Sequence, residues 1–528
     1  MRRKQSFLQG AAVLAAAVAI VKVIGFIGKI PLVNILGGHG LGHYNIAYNI
    51  YNVMLTISTA GLPVAVSKMV AEANALGRAR EVRKILRVAM SIFLLIGAVL
   101  TIGVFVFAEE AAGLMASKDS AITIRAIAPA IFFMTIMSSL RGYYQGLSNM
   151  YPTGISQIIE ALGKVILGIY FSMYLASRGY SPDVVAAGSV LGMTVGTVIA
   201  MLFLILRKTF DRNPPTGTVN ETRVSREIAK NILAIAIPIT ISSGTLAFTS
   251  FVDSALVMRR LQFAAGFTEE DARWLYGAFG IAQTMFNFPS AFIVPFAVSV
   301  VPAVAAAMSR GDRRSASRTI ETAIRVTSVL ALPAAAGLSV LSWPIMNLLF
   351  QHSPDEVRAA ATPLTILAIA VSFYCVVLVS NAVLQSIGKA RLPVYTMFIG
   401  SVVKIVTNWF LVGIPEININ GAPIGTCLCH FAIMVLNLIL ISREIKPAPN
   451  IGRMFGRPLA ATIIMAAAAW AVNGLLAIYV SSKIAVLGAI AVAMVIYLIL
   501  VVLMRAVTRD DLLMLPRGEK IANLLRIR

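Results

Sequence analysis

The chain has 528 residues, of which 58% are hydrophobic and only 13% charged, against roughly 25% charged in an ordinary soluble domain. A mean hydropathy of +0.83 calls for a solvent that rewards apolar surface all round a helix; lipid does, so a soluble fold is excluded. The net charge of +22 comes with no RNA- or DNA-binding motif, which excludes nucleic acid and leaves basic loops facing anionic lipid.

Apolar segments of roughly 20 residues or more, the length a bilayer crossing needs, follow one another along the chain. Their cores are 7–36, 44–67, 88–108, 122–147, 152–177, 183–206, 229–256, 276–307, 322–350, 360–387, 392–414, 421–442, 458–479 and 484–504. The intervening loops alternate in charge. Arg2 to Lys4, Arg78 to Arg87, Arg141, Arg207 to Lys230, Arg310 to Arg318, Lys389 with Arg391, Arg443 to Arg457 and the tail from Arg505 together carry 31 Lys and Arg, and the other loops carry seven. The positive-inside rule then puts both termini in the cytoplasm. The run 7–36 is too long for a signal-peptide core and is read as the first span.

The sequence repeats itself. Gln145-Gly-Leu-Ser returns as Gln385-Ser-Ile-Gly, each followed by a proline (Pro152, Pro393), and Gly163-Lys164-Val-Ile as Val403-Lys404-Ile-Val; Ala65 to Arg78 matches Ser299 to Asp312. The expected fold is an all-α polytopic membrane protein of about 14 transmembrane helices, two parallel six-helix repeats plus a C-terminal helix pair. Its expected divisions are an N-lobe at 1–209, a cytoplasmic linker at 210–227 containing Asn213-Pro-Pro-Thr-Gly, a C-lobe at 228–447, and the helix pair with a basic tail at 448–528.

No catalytic constellation is present, and the chain is not expected to be an enzyme. His39, His43 and His352 fall in external loops, and the three cysteines (Cys375, Cys427, Cys429) lie in apolar stretches, so neither a disulfide framework nor a metal site or cofactor follows. The informative residues are charges within spans, each of which costs several kcal/mol unless it meets a partner or a cavity. Lys22 and Lys29 lie two turns apart on one helix face; Lys29 either lines a cavity or snorkels to the external interface. Glu160 and Lys164 have the i, i+4 order of an internal ion pair, Lys404 takes the repeat-equivalent position of Lys164, and Asp253 sits near the external end of the seventh span. These six are the candidate substrate-binding residues.

Lys22-Val-Ile-Gly25-Phe26 followed by Lys29, Gly61-Leu-Pro63-Val-Ala-Val-Ser67-Lys68 through Glu72, and Arg141-Gly-Tyr-Tyr-Gln145-Gly-Leu-Ser-Asn-Met-Tyr-Pro152 with Ser156-Gln157 and Glu160 carry a resemblance. Over essentially its whole length the chain resembles the multidrug/oligosaccharidyl-lipid/polysaccharide exporter superfamily, and within it the stage V sporulation protein B and MurJ-type lipid II flippases. Such flippases usually show Arg in the first span where this chain has Lys22 and Lys29. The resemblance implies a monomeric translocase of the bacterial cytoplasmic membrane, moving an undecaprenyl-pyrophosphate-linked glycan outward by alternating access, with the last two spans guiding the polyprenyl tail. Proton, sodium or membrane potential alone could drive it, and membrane lipids are its other partners. The rival reading within the superfamily, a drug/cation antiporter, needs acidic residues as the dominant cavity charges.

Overall fold

The computed structural model describes residues 7–210, 223–350 and 354–507. Arg2, Arg3, Lys4, the Asn213 turn of the linker, His352 and the tail beyond Val507 lie outside the described residues. Within them the chain forms sixteen α-helices and no strand. In order these are α1 (Phe7–Thr59), α2 (Leu62–Ala75), α3 (Ala79–Val106), α4 (Ala108–Leu114), α5 (Ala121–Gly146), α6 (Tyr151–Ser177), α7 (Pro182–Thr209), α8 (Ser225–Phe263), α9 (Glu269–Ser309), α10 (Arg313–Val340), α11 (Ser342–Leu349), α12 (Pro354–Ser386), α13 (Leu392–Leu411), α14 (Gly421–Glu444), α15 (Ile451–Tyr479) and α16 (Ser482–Leu503).

Eleven helical runs among the described residues are long and apolar enough to cross a membrane, and α9, bent by 43°, makes a twelfth. One of the eleven, Ala16–Ala75, is 60 residues long, far more than one crossing uses. It contains a sharp turn at Gly37, whose φ of 61° and ψ of −173° are open to glycine and costly for other residues. Lys29 and Tyr44 lie on either side of that turn; a straight helix would hold their backbones about 22 Å apart, yet the Lys29 ammonium sits 3.9 Å from the Tyr44 ring centre. The chain has therefore folded back, and α1 contributes two crossings. With α8, at 39 residues, the protein has about fourteen.

Helices overrun the apolar cores read from sequence. The basic stretch 78–87 forms the first turns of α3, and 313–318 those of α10, because a helix leaving lipid continues wherever polar residues tolerate it. The expected external loop at 37–43 is likewise helical beyond Gly37, and His43 in it is buried, with Nδ1 2.8 Å from Ser120 Oγ.

Two compact units divide the chain, one formed by Met1–Gln262 with Phe267–Gly277, the other by Phe263–Gly266 with Ala278–Arg528. In the first, α5 is the central helix, packed by α1, α2, α3 and α7. α6 and α7 meet along glycines, Gly163 against Gly196 and Gly168 against Gly192, where an added Cβ would strike backbone, the close approach typical of membrane helix pairs. The first arm of α1 runs parallel to α6: Gly154 faces Ala17, and eleven residues further along both helices Gly28 faces Val165.

The second unit repeats this plan. Ala79 and Arg313 start 28-residue helices, Ala108 and Ser342 start the short helices after them, and Pro129 and Pro363 stand inside the next; each pair is 234 positions apart. α13 and α14 then pair as α6 and α7 do. An all-neutral network holds this unit: Asn437 donates to Ser380 Oγ (3.0 Å) and Asn381 Oδ1 (2.8 Å) and accepts from Thr396 Oγ1 (2.8 Å). The appended α15–α16 pair packs on α10 and α11, with Tyr497 Oη donating to the Val329 carbonyl at 2.8 Å.

Candidate functional site

Glu160 is the anchor of the first unit's charge cluster. It lies in the third turn of α6, is buried, and accepts two cations: Arg141 Nη2 at 2.9 Å from Oε2 and Lys164 Nζ at 2.5 Å from Oε1. Arg141 also donates from Nε to Ser156 Oγ at 2.9 Å, and Ser156 in turn donates to the Thr153 carbonyl at 2.8 Å. A carboxylate taken out of water needs this degree of pairing, and the same pairing fixes both side chains of opposite charge. The cluster carries one positive charge in excess. Sequence reading expected the Glu160–Lys164 pair but put Arg141 in a cytoplasmic loop; the structure instead buries it inside α5, because the third partner comes from a neighbouring helix.

Lys29 is held differently. The fold at Gly37 brings it over the face of Tyr44 in a cation–π contact, and among the described residues it makes no ion pair with a carboxylate. Tyr44 stacks on Tyr48, with centroids 5.8 Å apart, and Tyr48 meets Tyr51 in a tilted contact at 5.9 Å. These positions, i, i+4 and i+7, fall on one helix face. Tyr48 and Tyr51 lie close enough to Lys164 to feel its charge, so an aromatic ladder joins Lys29 to the Glu160 cluster. The ladder carries no charge and so does not show among the charged span residues; its sequence signal is the i, i+4, i+7 spacing of the tyrosines.

Lys22 is exposed, without an ion-pair partner among the described residues. The parallel register of α1 and α6 sets it close to the level of Glu160 and brings Lys29 and Lys164 to one helix crossing. The first unit thus gathers Lys22, Lys29, Lys164 and Glu160. Asp253 belongs to another set: it is buried on α8 next to Ser254, whose Oγ accepts from Asn49 at 3.2 Å, and it interacts with Tyr276, whose Oη accepts from the same Asn49 at 2.8 Å. Lys404 is in the second unit, half-buried on α13 near His430, which stacks on Phe286 and makes a tilted contact with Tyr374. Among the described residues no three His, Cys, Asp or Glu side chains form a metal-binding group.

Two segments expected outside the membrane, 109–120 and 257–275, converge at one end of the first unit. Arg273 Nη1 lies 3.2 Å from Asp119 and 3.4 Å from Glu269, Gln262 donates to the Ala116 carbonyl at 2.7 Å, and Arg259 to the Leu114 carbonyl at 3.2 Å. Two segments expected on the other side also meet each other: Arg223 donates to Glu72 Oε1 at 2.8 Å and lies 3.4 Å from the buried Glu81.

Residues 7–308, more than half the chain, match the profile of the family described as polysaccharide biosynthesis protein. The chain belongs to that family. A second profile, MatE, matches 276–410. Stage V sporulation protein B of Bacillus subtilis (strain 168) is 25% identical over 97% of this chain and 98% of its own length, and the lipid II flippase MurJ of the same organism is 24% identical over 83% and 82%. A solved structure of lipid II flippase MurJ in an inward closed conformation superimposes with a TM-score of 0.71 at 16% identity, covering 94% of this chain and 99% of that one. The chain is accordingly a multi-pass transporter of the multidrug/oligosaccharidyl-lipid/polysaccharide exporter superfamily, among relatives that are transporters and flippases.

Proposed function

We propose that the protein is a flippase for an anionic lipid-linked saccharide: a polyprenyl-pyrophosphate-linked glycan or peptidoglycan precursor, carried across the bacterial cytoplasmic membrane by alternating access, with both termini cytoplasmic. The observation that carries this reading is the charge balance of the first unit. Lys22, Lys29, Arg141 and Lys164 are set against one nearby carboxylate, Glu160, which is already engaged by two of them. The surplus suits a pyrophosphate; at an effective dielectric near 20, one opposite charge at 4 Å contributes about 4 kcal/mol before desolvation. The likeness to a lipid II flippase and to a stage V sporulation protein supports a substrate of this class. In this reading Lys22 and Lys29 meet the headgroup and the Glu160 cluster positions α6 beside them, while Lys404 is the separate candidate cation of the second unit.

The test is complementation of a flippase-depleted strain with membrane abundance measured in parallel. Lys22→Arg keeps function, Lys22→Gln loses most of it, and Lys22→Glu abolishes it at normal abundance, with polyprenyl-linked precursors accumulating. Full complementation by Lys22→Glu would sink the reading. One observation favours the antiporter alternative, the buried Asp253. If that reading holds, Asp253→Asn stops ion-coupled dye efflux while precursor levels stay normal.

A further inference from the structure

The second unit contains a cavity of about 700 Å³ walled by α10, α12, α14 and α15. Its walls offer hydrocarbon. Phe373 and Phe455 line it, and two of the three serines that reach it are spent within their own helices, Ser328 Oγ donating to the Ile324 carbonyl at 2.9 Å and Ser372 Oγ to the Ile369 carbonyl at 2.7 Å; the third, Ser442, lies beside Arg443 at the cationic end. Only at the C-terminal end of α14 does its character change, where exposed Arg443 and Lys446 complete the lining. Glu444, between them in sequence, is turned to Lys389 at 3.2 Å, and among the described residues neither Arg443 nor Lys446 has a carboxylate partner.

An apolar slot ending in two uncommitted cations is complementary to a lipid with one anionic head. We propose that it seats an anionic glycerophospholipid of the cytoplasmic leaflet, an acyl chain in the slot and the phosphodiester against Arg443 and Lys446. This rests on the topology proposed above, which puts the end of α14 in the cytoplasm. Within a bilayer a lipid tail is as apolar as leucine and gains little by changing neighbours, so selection comes from the head, and the cytoplasmic leaflet supplies the negative charge. The slot falls within the roughly 300–1,000 Å³ that hold a drug-sized ligand, a size matched to acyl chains; an undecaprenyl chain, more than twice as long, would overrun it.

The experiment is native mass spectrometry of the delipidated full-length protein titrated with dioleoylphosphatidylglycerol, dioleoylphosphatidylcholine or undecaprenyl phosphate. One phosphatidylglycerol should be retained in preference to phosphatidylcholine. R443Q/K446Q should weaken it about thirtyfold, roughly fivefold per cation, R443K/K446R should restore it, and Leu438→Trp, which fills the slot, should lose it. Equal retention of the two phospholipids, unchanged binding by R443Q/K446Q, full retention by Leu438→Trp, or displacement of phosphatidylglycerol by an equal concentration of undecaprenyl phosphate would each overturn the proposal. Lipid retention involves no transport, so its outcome is separable from complementation by the Lys22 variants.

Discussion

A buried glutamate with two cations is harder to remove than a surface one, and Glu160 shows why. Replacing it with Gln leaves Arg141 and Lys164 in a low-dielectric interior without their counter-charge, at a cost of about 3–5 kcal/mol. Glu160→Gln should therefore lower the unfolding temperature and yield of the detergent-purified protein, whereas Lys22→Gln, at an exposed position, should leave both unchanged. Equal melting of Glu160→Gln and the parent protein would refute the structural role of the triad. Two of the three members of this cluster are legible in the sequence, since Glu160 and Lys164 are one helical turn apart. Arg141 is 19 positions from Glu160, and only the packing of α5 against its neighbours brings it in; the boundary between loop and helix, set by tertiary contacts, hides it from a reading of local charge.

Glycine spacing decides how α6 and α7 approach. A Cβ at Gly196 would meet the Lys164 backbone nitrogen at 2.6 Å, so Gly196→Leu forces the two helices apart, costing at least the roughly 1–3 kcal/mol typical of overpacking, and tilts the Glu160–Lys164 side of α6. Gly103→Leu, at a site with nothing within 4 Å, is the control and should behave as the parent protein. Fluorescence-detected size exclusion after heating separates the two; equal survival would show that the glycine contact is dispensable. The order and number of elements are legible because apolar length and loop charge are imposed by the membrane itself. Helix ends are not: the overruns at 78–87 and 313–318 are rich in basic residues, so apolar length no longer marks them, and the turn at Gly37 is hidden within what reads as a loop of glycines and histidines.

At the scale of the molecule, topology and exposure make a joint prediction for membrane-impermeant thiol labelling of intact cells. Glu110→Cys and Glu270→Cys should react from outside and Arg80→Cys should not, although all three positions are exposed; His43→Cys, buried despite its expected external location, should stay unlabelled until the protein is denatured. External labelling of Arg80→Cys would invert the orientation. The hairpin at Gly37 bears also on how the protein enters the membrane. A lysine near the middle of an inserting helix costs about 2.5–3.5 kcal/mol, so the first arm of α1, with Lys22 and Lys29, is a poor candidate for insertion alone. Its relief arrives fifteen residues later, when Tyr44 on the returning arm slides beneath Lys29. Since a single glycine joins the arms, the two leave the ribosome nearly together, and biogenesis is best served if the membrane insertion machinery accepts them as one preformed pair.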